Sequence, residues 1–231
     1  IVIHLAAKIS VFDSIITPDS TFDTNVHGTQ NVLDALLSNH IKKLITASSA
    51  AVYQDTVYEI AESNKTVPSS PYGTSKLEME KKINYFTVQH KIQSIILRLF
   101  NVYGDGQSMQ YAGVITKFKE KISKNQSLII YGDGSAVRDF IHVNDVVFAI
   151  IFSIDSSKSN IYNIASGTSI SILDLAKLMI SISGKSIEIL YKPKRDGDLL
   201  SSISDITLAK TNLQFTPNIS LKKGLTQFPP L

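Results

Sequence analysis

The sequence has 231 residues, of which 43% are hydrophobic and 19% are charged, with a formal net charge of +3 and no cysteine. This composition is that of a globular protein large enough for one large domain or two joined domains, and it excludes a disulfide framework and thiolate metal sites. Basic residues are scattered, no apolar run reaches the roughly 18 to 20 residues of a membrane span, and no secretory signal opens the chain, so we expect a cytoplasmic protein without nucleic-acid or membrane partners.

The first half of the chain predicts strands that alternate with helices. Apolar runs at residues 1–5, 43–47 and 94–99 are typical of buried strands, and amphipathic periodicity predicts helices over 20–37 and 74–90. Buried strands separated by such helices indicate βαβ units and a parallel sheet. We therefore expect an α/β fold that contains the later part of a doubly wound, Rossmann-type parallel sheet.

The rhythm changes after Asn101, where a glycine-rich, polar loop begins. Helices are predicted over residues 114–123, 144–154, 171–182 and 205–211, and short strands over 128–131, 161–164 and 187–191. Asn144 or Asp145 is the expected N-cap of its helix, and Ser171 and Gly184 are expected to begin and end the following one. No cluster of histidines and carboxylates has the spacing of metal ligands, so no metal site is predicted.

Tyr72 and Lys76 form a candidate proton-transfer pair at the start of a predicted helix. Residues four apart lie on the same helical face, and an ammonium group close to a phenol lowers the tyrosine pKa. Ser49 ends a predicted strand, which is where open α/β sheets place their sites. The alternative is that Tyr72 and Lys76 are solvated surface residues and that Ser49 caps a turn.

Several segments together resemble the extended short-chain dehydrogenase/reductase family. They are HLAA (4–7), NVHGTQN (25–31), ASSAAVY (47–53), PYGTSK (71–76), LRLFNVYG (97–104), VRDFIHVND (137–145) and RDGD (195–198). Within that family the chain is most similar to the NAD-dependent epimerases and dehydratases of the UDP-glucose 4-epimerase type, over nearly its whole length. The resemblance implies an incomplete NAD-binding domain at residues 1–102 and a mainly substrate-binding domain at 103–231, with the segment around 139–165 returning to the first domain.

The resemblance also assigns roles to residues of this chain. Ser49, Tyr72 and Lys76 form the implied catalytic set, in which Tyr72 is the acid/base, Ser49 bonds the sugar hydroxyl, and Lys76 lowers the Tyr72 pKa and holds the nicotinamide ribose. The implied NAD contacts are Leu5, Ala6, Ala7, Asn25, Ser48, Tyr72, Lys76, Phe100 and Val102. The implied contacts to a nucleotide sugar, of UDP type, are Ser49, Ala50, Asn101, Arg138, Arg195 and Asp198.

Some of these residues have structural alternatives that the sequence leaves open. Asn25 is as readily explained by a bond within its own helix, and Arg195 and Asp198 by a solvated loop. We favour structural roles for Arg98, as one partner of an ion pair, and for His142.

The activity that we predict is 4-epimerisation, by transient oxidation at C4 of the sugar and return of the hydride to the opposite face. Ala50 and Ala51 stand where the dehydratases of the family carry an acidic pair, which disfavours dehydration. A decarboxylase or a 4-keto reductase of the same family is the alternative, and a non-catalytic dinucleotide-sensing protein is a distant one. The sugar, the nucleobase and the choice between NAD and NADP stay open.

The start of the chain suggests that part of the family fold lies upstream. Residue 1 falls inside a predicted strand, and neither Gly104–Gly106 nor Gly132–Gly134 is completed to the G-x-G-x-x-G fingerprint of dinucleotide binding. We therefore expect impaired NAD binding by these 231 residues alone. By the resemblance, we expect a homodimer of the complete protein, formed through the helices predicted at 20–37 and 74–90.

Overall fold

The computed structural model describes residues 1–194 and 201–227. The strands are β1 (Val2–His4), β2 (Lys43–Ser49), β3 (Glu59–Ile60), β4 (Gln93–Leu99), β5 (Asn101–Tyr103), β6 (Leu128–Tyr131), β7 (Val137–His142), β8 (Asn160–Ile164), β9 (Ser169–Ser171), β10 (Ile189–Lys192) and β11 (Ile203–Ser204). The helices are α1 (Val11–Ile16), α2 (Pro18–Phe22), α3 (Gly28–Ser38), α4 (Pro71–His90), α5 (Val114–Ser123), α6 (Val143–Asp155), α7 (Ile172–Ser183), α8 (Thr207–Leu213) and α9 (Leu221–Gln227).

A parallel sheet with the strand order β1-β2-β4-β8 forms the centre of the first half. Its apolar side chains are buried on both faces, because α3 and α4 cover one face and α6 and α8 cover the other. This is the arrangement that continuous apolar strands require, and the predicted α/β class with a parallel Rossmann-type sheet is confirmed. Ser49 pairs with Leu99, and Leu99 with Ile164, so the carboxyl ends of three strands lie at one edge.

The second half builds a smaller core beside this sheet. The parallel strands β6 and β10 pack with α5 and α7 around Ile115, Phe118, Leu128 and Met179. A three-stranded sheet, β5-β7-β9, connects the two halves, because β5 follows β4 directly and β7 leads into α6. In the described part of the chain, no helix is long and apolar enough to cross a membrane.

The helix predicted over residues 20–37 is divided in the structure. It consists of α2, a π-helical turn at Asp23–His27, and α3. A π-turn inserts an extra residue into the helical ladder, and such turns are frequent at functional sites. Here it directs Asn25 away from the helix to the loop after β1 and to α4. Periodicity does not reveal an inserted residue, because the apolar face continues on both sides.

Helix α4 begins three residues earlier than predicted, at Pro71. Ser70 is its N-cap and accepts a hydrogen bond from Gly73 N at 3.1 Å, and proline is favoured at the first helical position. The first turn therefore includes Tyr72. The helices α1 and α9 were not predicted from the sequence.

The predicted N-cap of α6 was wrong. His142 is the cap, since its Nδ1 accepts a hydrogen bond from Asn144 N at 3.2 Å. Strand β7 runs directly into the helix, so the cap falls two residues before the predicted pair. Asp145 instead accepts from the backbone N–H groups of Asn218 and Ile219 at 3.0 and 3.1 Å, which holds the C-terminal segment against α6. The structural role predicted for His142 is confirmed.

The predicted ends of α7 are confirmed. Ser171 accepts a hydrogen bond from Asp174 N at 3.0 Å, and Gly184 follows the helix with a φ of +67°, a conformation that favours glycine.

Candidate active site

Ser49 and Tyr72 meet in a cavity of about 220 Å³ at the carboxyl edge of the central sheet. Ser49 is the last residue of β2, Tyr72 lies in the first turn of α4, and a hydrogen bond joins their side chains. Ala50, Ala51, Leu99, Phe100, Asn101 and Arg138 line the same cavity. The structure therefore brings together residues that are distant in the chain, since Ser49 and Arg138, which are 89 positions apart, line one cavity.

Close packing of α4 against the loop after β2 fixes the distance between these two side chains. A Cβ on Gly73 would lie 2.3 Å from the Ala51 carbonyl oxygen, so only glycine fits between the helix and the loop. Ser14 of α1 also accepts a hydrogen bond from Tyr72 N at 3.0 Å. The unpredicted helix α1 thus anchors the first turn of α4.

Lys76 lies one turn after Tyr72 and is buried. Its Nζ donates to the Ala47 carbonyl at 2.9 Å, at the carboxyl end of β2. Burial lowers the pKa of Lys76 to about 8, against the charge of Glu80, which acts in the opposite direction. The Lys76 charge also faces the end of β1, where burial and that charge together lower the pKa of His4.

The expected lowering of the Tyr72 pKa by Lys76 is not what this structure shows. Burial raises the pKa of Tyr72, and the group that opposes this is the Ser49 hydroxyl, through its hydrogen bond. The physical reason is that the Lys76 ammonium is directed at the Ala47 carbonyl, while the phenol is almost completely withdrawn from water.

Asn25 is a clamp between three elements. Its Oδ1 accepts from Lys8 N at 2.8 Å, and its Nδ2 donates to Lys8 O and to Ser75 Oγ, each at 2.9 Å. These bonds hold the loop after β1 against α4, so Asn25 does not bond within its own helix as the alternative supposed. Asn25 therefore supports the expected cofactor region through these bonds, and its contact with NAD stays a prediction.

The Ser48 side chain points away from the expected cofactor region. Its hydroxyl donates to Glu80 Oε1 at 2.5 Å and is buried, because neighbouring residues of a strand face opposite sides of the sheet. The structure thus gives the Ser48 hydroxyl a partner in the interior, and the contact of Ser48 with NAD stays a prediction.

The ion pair predicted for Arg98 is confirmed. Its partner is Glu80, with Nε to Oε1 at 3.0 Å and Nη2 to Oε2 at 2.7 Å, and both side chains are buried.

The other predicted NAD contacts lie around the carboxyl ends of β1 and β4. Leu5 and Ala6 are exposed after β1, and Ala7 is half-buried. Phe100 is buried and lines the cavity of Ser49 and Tyr72, whereas Val102 lines a second cavity. The contacts of Phe100 and Val102 with NAD stay predictions.

The second cavity has a volume of about 380 Å³ and adjoins the first. Asn101 and Arg138 line both of them. Asn101 Nδ2 donates to Asp139 O at 2.9 Å, and Arg138 Nη1 donates to Val137 O at 2.8 Å. Lys194 adds a second cation to the lining. Arg195 and Asp198, which were also predicted to contact substrate, lie outside the described residues.

Sequence reasoning missed several lining residues. They are Val11, Tyr53, Gln54, Ser201 and Ser202 in the cavity of Ser49 and Tyr72, and Gln107, Tyr131 and Lys194 in the second cavity. Ser201 and Ser202 reach the site because Ser202 exchanges backbone hydrogen bonds with Val137 and Asp139 at 3.0 and 2.9 Å. No local motif marks such a pairing. Among residues 1–194 and 201–227, no group of three or more potential ligands could hold a metal ion.

Comparison with known proteins identifies the family. A model of the NAD-dependent epimerase/dehydratase family matches residues 1–165, which is more than half of the chain. The chain belongs to this family. The resemblance predicted from its motifs is confirmed, and NAD is the cofactor that family membership assigns to it.

Similar proteins act on several nucleotide sugars. The putative UDP-glucose 4-epimerase of Methanocaldococcus jannaschii is 38% identical over 97% of this chain and 74% of that protein. The Thermotoga maritima UDP-glucose 4-epimerase, solved with UDP-glucose, is 34% identical with a TM-score of 0.94, over 97% of this chain and 74% of that one. The Bacillus cereus UDP-glucuronic acid 4-epimerase, solved with UDP-glucuronic acid and NAD, is 30% identical with a TM-score of 0.87, over 95% and 71%.

Proposed function

We propose that this protein is an NAD-dependent nucleotide-sugar 4-epimerase whose substrate is a UDP-hexose. The observation that carries the proposal is the hydrogen-bonded pair of Ser49 and Tyr72, in a cavity that continues past Asn101 and Arg138 into a larger one. The smaller cavity suits a sugar, and the larger one suits the nucleoside diphosphate attached to it.

The residues of the smaller cavity fit the chemistry at C4 of the sugar. Bound NAD⁺ supplies reversible hydride acceptance at that carbon. Tyr72 removes the proton of the 4-hydroxyl and returns it after the sugar has turned, and Ser49 holds that hydroxyl by a hydrogen bond. The buried ammonium of Lys76 lies at the carboxyl end of β2, where it donates to the Ala47 carbonyl, and we assign it to the nicotinamide ribose. Phe100 and Leu99 supply an apolar wall for the nicotinamide ring.

The larger cavity carries the cations that a diphosphate requires. The planar guanidinium of Arg138 suits two phosphate oxygens at once, and Lys194 adds a point charge. Because Arg138 lines both cavities, we assign it to the diphosphate at the junction between nucleotide and sugar. The same role is proposed for Arg195, and ribose recognition for Asp198.

The test is conversion of UDP-galactose by the natural full-length protein, followed by NMR of the anomeric protons without added reductant. We expect UDP-glucose to appear, and Tyr72→Phe to lower kcat by about 10² to 10⁴-fold, which is the usual contribution of a positioned acid/base. Tyr58→Phe is the matched control, because Tyr58 is 77% exposed. Absence of conversion of UDP-galactose, UDP-N-acetylhexosamines and UDP-glucuronate would contradict the proposal.

We further propose that residues 1–231 alone bind NAD⁺ only weakly. The fingerprint that cradles the pyrophosphate is absent from these residues, while those beside the nicotinamide half are present. Calorimetric titration of this polypeptide with NAD⁺ measures the affinity, and micromolar binding would overturn this part of the proposal.

A further inference from the structure

Glu80 is buried on α4, one turn after Lys76, and only 2% of its surface is exposed. Each of its carboxylate oxygens accepts a hydrogen bond from Arg98 of β4, at 3.0 and 2.7 Å. Ser48 of β2 donates a further bond to Oε1 at 2.5 Å. One carboxylate thus joins α4, β2 and β4.

The network continues from Arg98 into the fourth strand of the sheet. Arg98 Nη1 donates to the Tyr53 hydroxyl at 2.9 Å, and the guanidinium carbon lies 4.7 Å from the centre of the Tyr53 ring. The Tyr53 hydroxyl donates to Asn163 Oδ1 of β8 at 2.6 Å. All five side chains of this hydrogen-bond network are buried: Ser48, Tyr53, Glu80, Arg98 and Asn163. The network therefore orders the carboxyl edge of β2, β4 and β8.

The partners of Glu80 are direct neighbours of the proposed catalytic residues. Ser48 precedes Ser49, and Lys76 lies one helical turn before Glu80. Arg98 stands three residues before Asn101, on the strand that leads to the cavity. We propose that Glu80 is a positioning residue, whose buried carboxylate holds the ends of β2 and β4 against α4 and so sets the places of Ser49 and Lys76.

The charge of Glu80 adds an electrostatic role to this geometric one. Within the described residues, the titratable groups around the network are Lys76 on α4, Arg98 on β4, Tyr53 and Glu62 in the connection from β2 to α4, and His4 at the end of β1. The negative charge of Glu80 raises the pKa of Lys76, against the effect of burial. Removal of the Glu80 charge leaves the Arg98 guanidinium without its carboxylate partner. It also leaves nothing from Glu80 to oppose the lowering of the Lys76 pKa by burial.

The inference rests on the proposed function, and its test uses Glu80→Gln in the natural full-length protein with NAD⁺. Glutamine keeps the shape and can still accept from Ser48, but it removes the charge. NMR of ¹³Cε-labelled lysine, with Lys76 assigned from Lys76→Arg, measures the titration. We expect the Lys76 midpoint to fall by about one pH unit. The decrease of kcat at alkaline pH should move to lower pH together with the Lys76 midpoint.

Two further variants separate charge from geometry. Glu80→Asp keeps the charge but is one methylene too short to reach both Ser48 and Arg98, so kcat should fall while the Lys76 midpoint stays near that of the wild type. If Glu80→Gln does not fold because Arg98 has lost its carboxylate partner, the double variant Glu80→Gln with Arg98→Gln removes both buried charges. The Lys76 midpoint should fall in this double variant as well.

Glu78→Gln is the matched control, since Glu78 lies on the same helix but forms an exposed pair with Lys81. An unchanged Lys76 midpoint and pH profile in Glu80→Gln, or an equal shift in Glu78→Gln, would overturn the inference. A wild-type protein that epimerises no nucleotide sugar would refute the proposed function, while the Lys76 titration would still decide the role of Glu80.

Discussion

The ammonium group of Lys76 is buried, which makes the free energy of unfolding depend on pH. Burial lowers its pKa from 10.5 to about 8. At pH 7 the folded and the unfolded chain both carry the proton, so the cost of burying the charge is fully present. Between about pH 8 and pH 10.5 the folded protein has released the proton and the unfolded chain has not, so stability rises with pH in that window.

We therefore expect Lys76→Met to stabilise the protein at pH 7 by about 2 kcal/mol. About 3 kcal/mol corresponds to the lowered pKa, and about 1 kcal/mol is lost with the bond to the Ala47 carbonyl. The gain should shrink as pH rises from 8 to 10.5. Urea denaturation at pH 7 and pH 10 measures it, with the exposed Lys177→Met as control. A variant that is less stable than the wild type at pH 7 would contradict this account.

The π-helical turn between α2 and α3 shows how an irregular element can serve the site. Its extra residue turns Asn25 toward Lys8 and Ser75, and it fixes the loop after β1 against the helix that carries Tyr72 and Lys76. This loop is where the resemblance implies contact with NAD, through Leu5, Ala6 and Ala7, which stays a prediction.

We expect Asn25→Ala to lower the free energy of unfolding by about 2 kcal/mol, because backbone groups of Lys8 and the Ser75 hydroxyl lose their partner. Equilibrium urea denaturation measures the change. The control is Asn31→Ala, an exposed asparagine of α3. Equal stabilities of the two variants would show that the clamp contributes nothing.

The site as a whole lies where the two halves of the molecule meet. Ser49 and Tyr72 come from the first half, Arg138 and Lys194 from the second, and Asn101 stands at the junction of the two cavities. Asp139 reinforces the junction, because its buried carboxylate accepts bonds from Ser166, Gly167 and Ser204. The homodimer through the helices at 20–37 and 74–90 stays a prediction.

The two-part cavity predicts that UDP binds without the sugar. At 100 times its Kd, UDP should raise the free energy of unfolding by about 2.7 kcal/mol, since it binds only the folded state. Calorimetry gives the Kd, and denaturation with and without UDP gives the stability change. Arg138→Met should weaken UDP binding at least tenfold, whereas Lys177→Met, on an exposed face, should not. Equal affinity of the wild type and Arg138→Met would remove Arg138 from the diphosphate site.

The sequence by itself determined the fold class and most of the elements. Apolar runs such as 43–47 and 94–99 identify strands buried on both faces, and Ser171 and Gly184 bound their helix by local hydrogen bonding and backbone conformation. The motifs likewise identified the family and nominated Ser49, Tyr72 and Lys76. These features are local, because each depends on residues within a few positions of one another.

Only the tertiary structure decided which way the polar side chains face and which distant residues they meet. Ser48 and Ser49 are adjacent in a motif, yet one bonds Glu80 in the interior and the other bonds Tyr72 in the cavity. The tertiary structure also raised the Tyr72 pKa, where the spacing to Lys76 alone had predicted a lower one. Burial and long-range pairing cause both results, and neither is encoded at a fixed separation along the chain.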